Sequence, residues 1–148
     1  MGNDCIKIAN CSGYYGDKLS AAKDMVDGGP IDVLTGDYLA ELTMAILFNQ
    51  KLQRGEDKGY VGTFLKQIKE IAASCKEKNI KIVTNAGGLN PKSMAMEIEK
   101  ILNMMGVKTK LTKDSIKIYG QPKLKIKKNI VIKNFLKDHR IFMMSTIA

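Results

Sequence analysis

The sequence predicts an α/β domain with a mainly parallel sheet and flanking helices, and three observations support this class. Short apolar segments alternate with longer segments of helical periodicity through residues 1–105. Each of the first three apolar segments runs into a glycine-containing loop, and each loop leads into a helical segment. Strands that alternate with helices require right-handed crossovers, which place the strands side by side in parallel. The 148 residues, 45% of them hydrophobic, are enough for one domain with a core.

The first two strand and helix pairs occupy the first third of the chain. Residues 6–9 form a short apolar strand, and a helix follows in which Asp17 has the side chain of an N-cap residue. Residues 31–34 form the second strand. Residues 38–51 then have helical character and are apolar on several sides, so we expect this second helix to be buried.

The third pair gives the strongest local signals. Residues 61–75 carry an apolar stripe at helical spacing, and residues 80–84 form the third strand. Asn90 and Pro91 then combine a capping side chain with proline at the first helical position. A weaker fourth strand is expected at residues 107–111. The whole arrangement is Rossmann-like.

The charge of the chain is concentrated at its end. Residues 1–105 carry 13 basic and 13 acidic side chains, whereas residues 106–148 carry 11 basic and two acidic ones, so the whole net charge of +9 lies in the last 43 residues. We therefore divide the chain into an α/β domain at residues 1–111 and a lysine-rich tail at residues 112–148. Alternation around Leu124 and Ile126 favours an edge strand, but the composition suits a disordered tail equally well.

The cysteines and the single histidine exclude some chemistry. Three cysteines without a CxxC spacing predict neither a disulfide framework nor a thiol zinc site, and no apolar run approaches the ~20 residues of a membrane span. A cytoplasmic protein is expected. Cys11 follows a strand and could act as a nucleophile, although a buried structural thiol is favoured. His139 lies in the tail, so no Cys-His or Ser-His relay is expected in the domain.

The loops after the three strands are the predicted site, because ligands of open parallel sheets bind outside the carboxyl ends of the strands. Asp17, Asp37 and Glu41 are the candidate catalytic groups. The glycines could instead serve tight turns, and the aspartates and Asn90 could be simple helix caps. The candidate ligand-binding residues are Asn10, Ser12, Gly13, Gly16, Thr35, Gly36, Asn85, Gly87, Gly88 and Asn90.

The loops also indicate a class of ligand. They match neither G-x-G-x-x-G nor G-x-x-x-x-G-K-[ST], and a carboxylate that caps a helix opposes a bound phosphate. Hydroxyl, carbonyl or divalent-cation ligands suit the carboxylates and amides better. No particular cofactor or metal is predicted.

Three segments resemble the acyclic terpene utilisation family AtuA. They are residues 10–17 (NCSGYYGD), residues 29–41 (GPIDVLTGDYLAE) and residues 84–91 (TNAGGLNP). The resemblance extends over residues 6–105 and implies a role near acyclic terpene and acyl-CoA catabolism, with a small metabolite bound at the three loops and no established reaction. Family members are several times longer, so the resemblance implies an incomplete sheet.

Two alternatives stay open at this stage. One is a truncated, inactive fragment. The other is a binder of nucleic acid or of an anionic surface through the basic residues 108–140, although a nucleic-acid partner is not favoured.

Overall fold

The computed structural model describes residues 5–109, 111–112 and 141–143. Within these residues the strands form one five-stranded sheet in which every neighbouring pair is parallel, so the predicted α/β class is confirmed. The elements in chain order are β1 (Ile8–Asn10), α1 (Ala21–Asp27), β2 (Val33–Gly36), α2 (Glu41–Arg54), α3 (Gly62–Glu77), β3 (Lys81–Thr84), α4 (Pro91–Met104), β4 (Leu111–Thr112) and β5 (Ile141–Met143). The order across the sheet is β1, β2, β3, β5, β4.

The best predicted element is α4, because its ends are specified by local chemistry. Asn90 accepts a hydrogen bond from the backbone N–H of Ser93 at 3.2 Å, and Pro91 is the first helical residue. Proline fits there since its missing N–H would have no partner inside the helix. Gly106, with φ +67°, follows the last turn in the left-handed conformation that glycine adopts without strain.

The core lies between the sheet and the helices α1, α3 and α4. Helix α3 packs against both α1 and α4. Leu34 of β2 and Ile82 of β3 are paired in register and are both buried. Phe64 and Ile68 of α3 belong to the same apolar cluster and are fully buried. The side chains of alternate strand residues point to the other face of the sheet, where Ile8 is 63% exposed.

The prediction that the second helix is buried is wrong. In α2, Thr43 and Leu47 are the buried residues, whereas Leu42 and Leu52 remain 73% and 66% exposed. The helix contacts the rest of the domain along one narrow line. Its outer face is apolar and solvent-exposed in the described part of the chain.

The strands near the end of the chain differ from the expected pattern. Of the fourth strand predicted at residues 107–111, the structure has a two-residue strand, β4, that extends one residue further. Ile141–Met143, inside the predicted tail, forms β5 between β3 and β4, and sequence analysis predicted no strand there. The suggested edge strand around Leu124 and Ile126, and His139, lie outside the described residues.

Candidate functional site

The loops that follow β1, β2 and β3 meet at the carboxyl edge of the sheet. We call them loop 1 (residues 10–17), loop 2 (residues 35–41) and loop 3 (residues 84–90), and together the three-loop site. The backbone N–H of Asp37 donates to the carbonyl oxygen of Ser12 at 3.1 Å, which joins loop 2 to loop 1. The N–H of Asn85 donates to the carbonyl oxygen of Gly36 at 3.4 Å, which joins loop 3 to loop 2. The geometry therefore brings the predicted loops together.

Asp37 and Asn85 form the polar centre of the site. The Asn85 side-chain amide donates to Asp37 Oδ1 at 2.5 Å, while Asn85 Oδ1 accepts from the Tyr38 N–H at 2.8 Å. This amide therefore fixes both the carboxylate and the backbone of loop 2. Asp37 is exposed, and its second oxygen has no protein partner among the described residues. Asp37 does not cap α2, whose N-cap residue is Ala40.

Glu41 is the first residue of α2 and is exposed. Among the described residues its carboxylate makes no hydrogen bond or ion pair. It lies four residues after Asp37 along loop 2, so the two candidate catalytic groups belong to the same short segment.

Asn10, Ser12 and Thr35 connect the ends of β1 and β2. Asn10 Oδ1 accepts a hydrogen bond from Thr35 Oγ1 at 3.0 Å, and Asn10 Nδ2 donates to the carbonyl oxygen of Ser12 at 2.9 Å. The Ser12 hydroxyl is buried and donates to the carbonyl oxygen of Tyr14 at 2.9 Å. The polar groups of Asn10 and Ser12 thus build loop 1 itself.

Asp17 also has a different role from the one predicted. It was expected to cap α1, but α1 begins at Ala21, and the N-cap position belongs to Ser20. Asp17 instead accepts hydrogen bonds from the backbone N–H groups of Gly13 at 3.0 Å and Lys18 at 2.7 Å. These two bonds lower the pKa of the Asp17 carboxyl, because they favour its charged form. Both oxygens of Asp17 are therefore used to close loop 1.

The glycines of loop 3 are required by packing. A Cβ on Gly87 would lie 2.6 Å from Cβ of Pro91, and a Cβ on Gly88 would overlap the Leu47 side chain and lie 2.9 Å from the carbonyl oxygen of Gly59. Gly88 also has φ +51°. These two positions admit no side chain, whether or not a ligand is present.

Asn90 and Gly36 also serve the fold. Besides capping α4, Asn90 donates through Nδ2 to the carbonyl oxygens of Glu56 and Lys58, at 2.8 and 3.3 Å. A Cβ on Gly36 would meet the ring of Tyr38 at 2.7 Å. In loop 1, by contrast, Gly16 has φ +106°, and a Cβ on Gly13 would lie 4.0 Å from Asp17 Oδ2, which is an ordinary contact distance.

A buried polar cluster lies behind the site and was missed by sequence analysis. Tyr38, which is 2% exposed, donates through its hydroxyl to Gln67 Oε1, and Gln67 donates through Nε2 to the carbonyl oxygen of Leu19 at 3.2 Å. Cys11 Sγ lies 3.9 Å from the Tyr38 hydroxyl oxygen. The signal for this cluster is Gln67, a polar residue inside the apolar stripe of α3.

Burial sets the protonation of this cluster. It raises the pKa of the Cys11 thiol, and it also raises that of the Tyr38 hydroxyl. Cys11 is therefore a neutral, buried thiol, as favoured from the sequence, and it lacks the thiolate character of a nucleophile.

The electrostatics of the three-loop site are uniformly negative. The three loops contain the carboxylates of Asp17, Asp37 and Glu41 and no lysine, arginine or histidine. Neither Asp17 nor Asp37 caps a helix, so the prediction that capping carboxylates disfavour a phosphate ligand does not apply here. The negative charge of the loops disfavours a phosphate ligand for another reason, because like charges repel each other. In the described part of the chain, no three His, Cys, Asp or Glu side chains cluster as metal ligands would.

A cavity lies at the opposite end of the sheet. It has a volume of about 600 Å³ and is lined by Lys7, Asp27, Asp32 and Lys78, near the amino ends of the strands. Lys78 Nζ lies 3.9 Å from Asp27 Oδ1, and Asp32 accepts a hydrogen bond from the Lys7 backbone N–H at 2.7 Å. Ligands of parallel sheets bind at the carboxyl ends, so we place the candidate site at the loops.

The fold and the loops define a class of protein, an α/β domain with a polar three-loop site at the carboxyl edge of a parallel sheet. Residues 6–115 match the family described as acyclic terpene utilisation family protein AtuA. The match covers most of the chain, and the chain belongs to this family. Searches of curated proteins and of solved structures found no match. None of the described helices has the length and apolar character needed to cross a membrane.

Proposed function

We propose that this chain serves acyclic terpene utilisation by binding a small, hydroxyl-bearing metabolite at the three-loop site. The observation that carries the proposal is the orientation of Asp37 by Asn85 at 2.5 Å in loops that contain three carboxylates and no basic side chain. A carboxylate is an acceptor, so its natural partner is a donor such as a hydroxyl group. Membership of the family links the metabolite to acyclic terpenes.

The hydrogen bonds within the loops support a different role for each carboxylate. Asp37 and Glu41 offer unused carboxylate oxygens and act as the ligand acceptors and acid/base groups. Asp17 has both oxygens on backbone N–H groups, so its part is to shape loop 1.

The negative charge of the loops also determines that neutral ligands are preferred over anionic ones. A carboxylate ligand about 5 Å from one of the site carboxylates would meet a repulsion of about 1–3 kcal/mol at an effective dielectric constant between water and a protein surface. That corresponds to an affinity about 5- to 150-fold lower. An acyclic terpene alcohol should therefore bind more tightly than the carboxylic acid with the same carbon chain.

Isothermal titration calorimetry with this pair of compounds tests the proposal. The alcohol is expected to bind, and the acid to bind at least about fivefold more weakly at neutral pH. The double variant Asp37→Ala, Glu41→Ala should weaken alcohol binding by at least about tenfold, because hydrogen bonds to charged groups are worth about 1.5–3 kcal/mol.

The matched control is Glu77→Ala. Glu77 is also an exposed glutamate, but it ends α3 at the opposite edge of the sheet. This variant should bind the alcohol like the wild type. Unchanged binding in the Asp37, Glu41 double variant, or equal affinity for alcohol and acid, would contradict the proposal.

The proposed setting is the cytoplasm. Cys5, Cys11 and Cys75 are all free, and free thiols suit a reducing compartment.

A further inference from the structure

Helix α2 carries an apolar stripe that points away from the domain. Leu42, Phe48 and Leu52 are 73%, 55% and 66% exposed, and the exposed Ala45 lies between them. Spacings of three and four residues put these side chains on one side of the helix. We call these four residues the α2 stripe. The side that packs on the domain carries Leu47.

The shape of the α2 stripe indicates what it binds. It lies on the outer surface of a helix and is therefore convex, whereas sites for small molecules are concave. A convex apolar row fits the grooves of another helix. Contiguous exposed apolar surface of this kind is typical of protein–protein interfaces.

We propose that the α2 stripe is a homodimer interface in which two copies of α2 pack antiparallel about a twofold axis. The first reason is that the leucines at the two ends of the stripe face each other across such an axis. Leu42 and Leu52 lie five residues before and after Leu47, so an antiparallel pair centred at Leu47 places each Leu42 beside the partner's Leu52. The same centre places Ala45 beside the partner's Asn49. A twofold interface needs this correspondence, since one surface must match itself.

The second reason is the charge at the two ends of α2. Glu41 lies in the first turn and Arg54 in the last turn, where Lys51 is already paired with Glu56 at 2.7 Å. Antiparallel packing brings the acidic end of one helix near the basic end of the other, and it also aligns the two helix dipoles favourably. Parallel packing would bring like charges together. Charge therefore favours a second copy in the antiparallel orientation.

The size of the interface sets the expected affinity. A helix of 14 residues is about 21 Å long, so a pair of such helices gives an interface below about 1,200 Å². Interfaces of this size belong to weak complexes. The dimer should therefore dissociate in the micromolar range.

Sedimentation equilibrium of the chain of residues 1–148 across the micromolar range tests this interface. The wild type is expected to show a reversible monomer–dimer equilibrium. Phe48→Glu places two carboxylates near the twofold axis and should raise the dissociation constant by at least about tenfold. Met104→Glu is the matched control, because Met104 is 77% exposed on α4, outside the stripe, and this variant should dimerise like the wild type.

A second pair of variants tests the orientation. Ala45→Glu alone should weaken the dimer, whereas the double variant Ala45→Glu, Asn49→Lys should restore it, since antiparallel packing sets each new carboxylate against the partner's new ammonium group. Circular dichroism establishes that each variant is folded. A wild type that is monomeric at every concentration, a Phe48→Glu variant that dimerises normally, or a double variant weaker than Ala45→Glu would overturn the proposal.

Discussion

Replacing Gly87 with alanine is expected to destabilise the domain by about 2 kcal/mol, because loop 3 has no room for a side chain there. The new Cβ would lie 2.6 Å from Cβ and 2.9 Å from Cα of Pro91. Both atoms are rigid, since the proline ring is fixed at the first position of α4, so the helix itself would have to shift. Overpacking of this kind costs about 1–3 kcal/mol, and we expect the upper part of that range. Loss of unfolded-state freedom offsets about 0.4–1 kcal/mol.

Urea unfolding followed by circular dichroism measures this effect. With a slope of about 1–3 kcal/mol per molar urea, the midpoint of the Gly87→Ala variant should fall by about 1 M. Gly62→Ala is the matched control, because a Cβ on Gly62 meets nothing within 4 Å, and alanine at the start of α3 should stabilise by about 0.4–1 kcal/mol. The two substitutions should therefore have opposite signs. A Gly87→Ala midpoint at or above that of the wild type would refute the packing argument.

Three further predictions concern Tyr38, Asp17 and the cysteines. Tyr38→Phe should lower the free energy of unfolding by about 1–3 kcal/mol in urea, because it removes the hydroxyl that donates to the side-chain carbonyl of Gln67, a residue that is 2% exposed. An unchanged urea midpoint would contradict this prediction. Backbone N–H groups lower the pKa of Asp17 below its ordinary value of 3.8, so the charged carboxylate stabilises the fold above that pH, and this stabilisation is lost as the pH falls through the lower pKa of the folded state. The Asp17→Asn variant should therefore lose less stability than the wild type between pH 5 and pH 2. Parallel stability profiles of the two proteins in acid would contradict this prediction. Under native conditions iodoacetamide should label Cys5 alone, because the thiols of Cys11 and Cys75 are buried, and in denaturant it should label all three. Mass spectrometry counts the labelled thiols. Rapid labelling of a second thiol in the native protein would contradict the burial of Cys11 and Cys75.

The parts of the fold that sequence predicts well are those with a local cause. Helix α4 has a capping residue, a proline at its first position and a glycine after its end, and each of these residues acts on the backbone within a few positions of itself. The start of α1 was wrong for a related reason. A short acidic side chain bonds backbone N–H groups in a turn as readily as at a helix N-cap, and Asp17 does so with Gly13 and Lys18. Sequence cannot distinguish these two uses of the same chemistry.

Helix α2 shows what a composition argument leaves out. Its apolar residues predicted burial, but burial depends on which neighbours the topology supplies. The structure supplies a neighbour on one side, where Leu47 packs against Gly88 and no side chain fits between them. The residues on the other side have no such partner in the described part of the chain. An apolar helix can therefore mark an interface as well as a core.

The buried Gln67 illustrates a signal that was available in the sequence. It lies between Phe64 and Ile68 on α3, within a stripe that is otherwise apolar. A polar residue in such a position must find hydrogen-bond partners inside the protein, and here they are the Tyr38 hydroxyl and the Leu19 carbonyl. The presence of a partner could be expected from the pattern, but its identity required the fold.

The roles of the two carboxylates of loop 2 can be separated by experiment, because one of them also holds the fold together. Asp37 shares an oxygen with the Asn85 amide and so ties loop 2 to loop 3, whereas Glu41 is exposed and has no protein partner among the described residues. Asp37→Ala should therefore lower both the unfolding midpoint and the affinity for an acyclic terpene alcohol. Glu41→Gln keeps the size of the side chain and removes its charge, so it should lower the affinity alone.

Calorimetry and urea unfolding on the same two preparations make this comparison. If Glu41→Gln binds the alcohol as tightly as the wild type, Glu41 is a solvated glutamate and Asp37 is the acceptor of the ligand hydroxyl. If Asp37→Ala loses stability but keeps its affinity for the alcohol, the Asp37 carboxylate serves only to bind the Asn85 amide. Glu41 would then be the acceptor of the ligand hydroxyl, because Asp17 has both of its oxygens on backbone N–H groups.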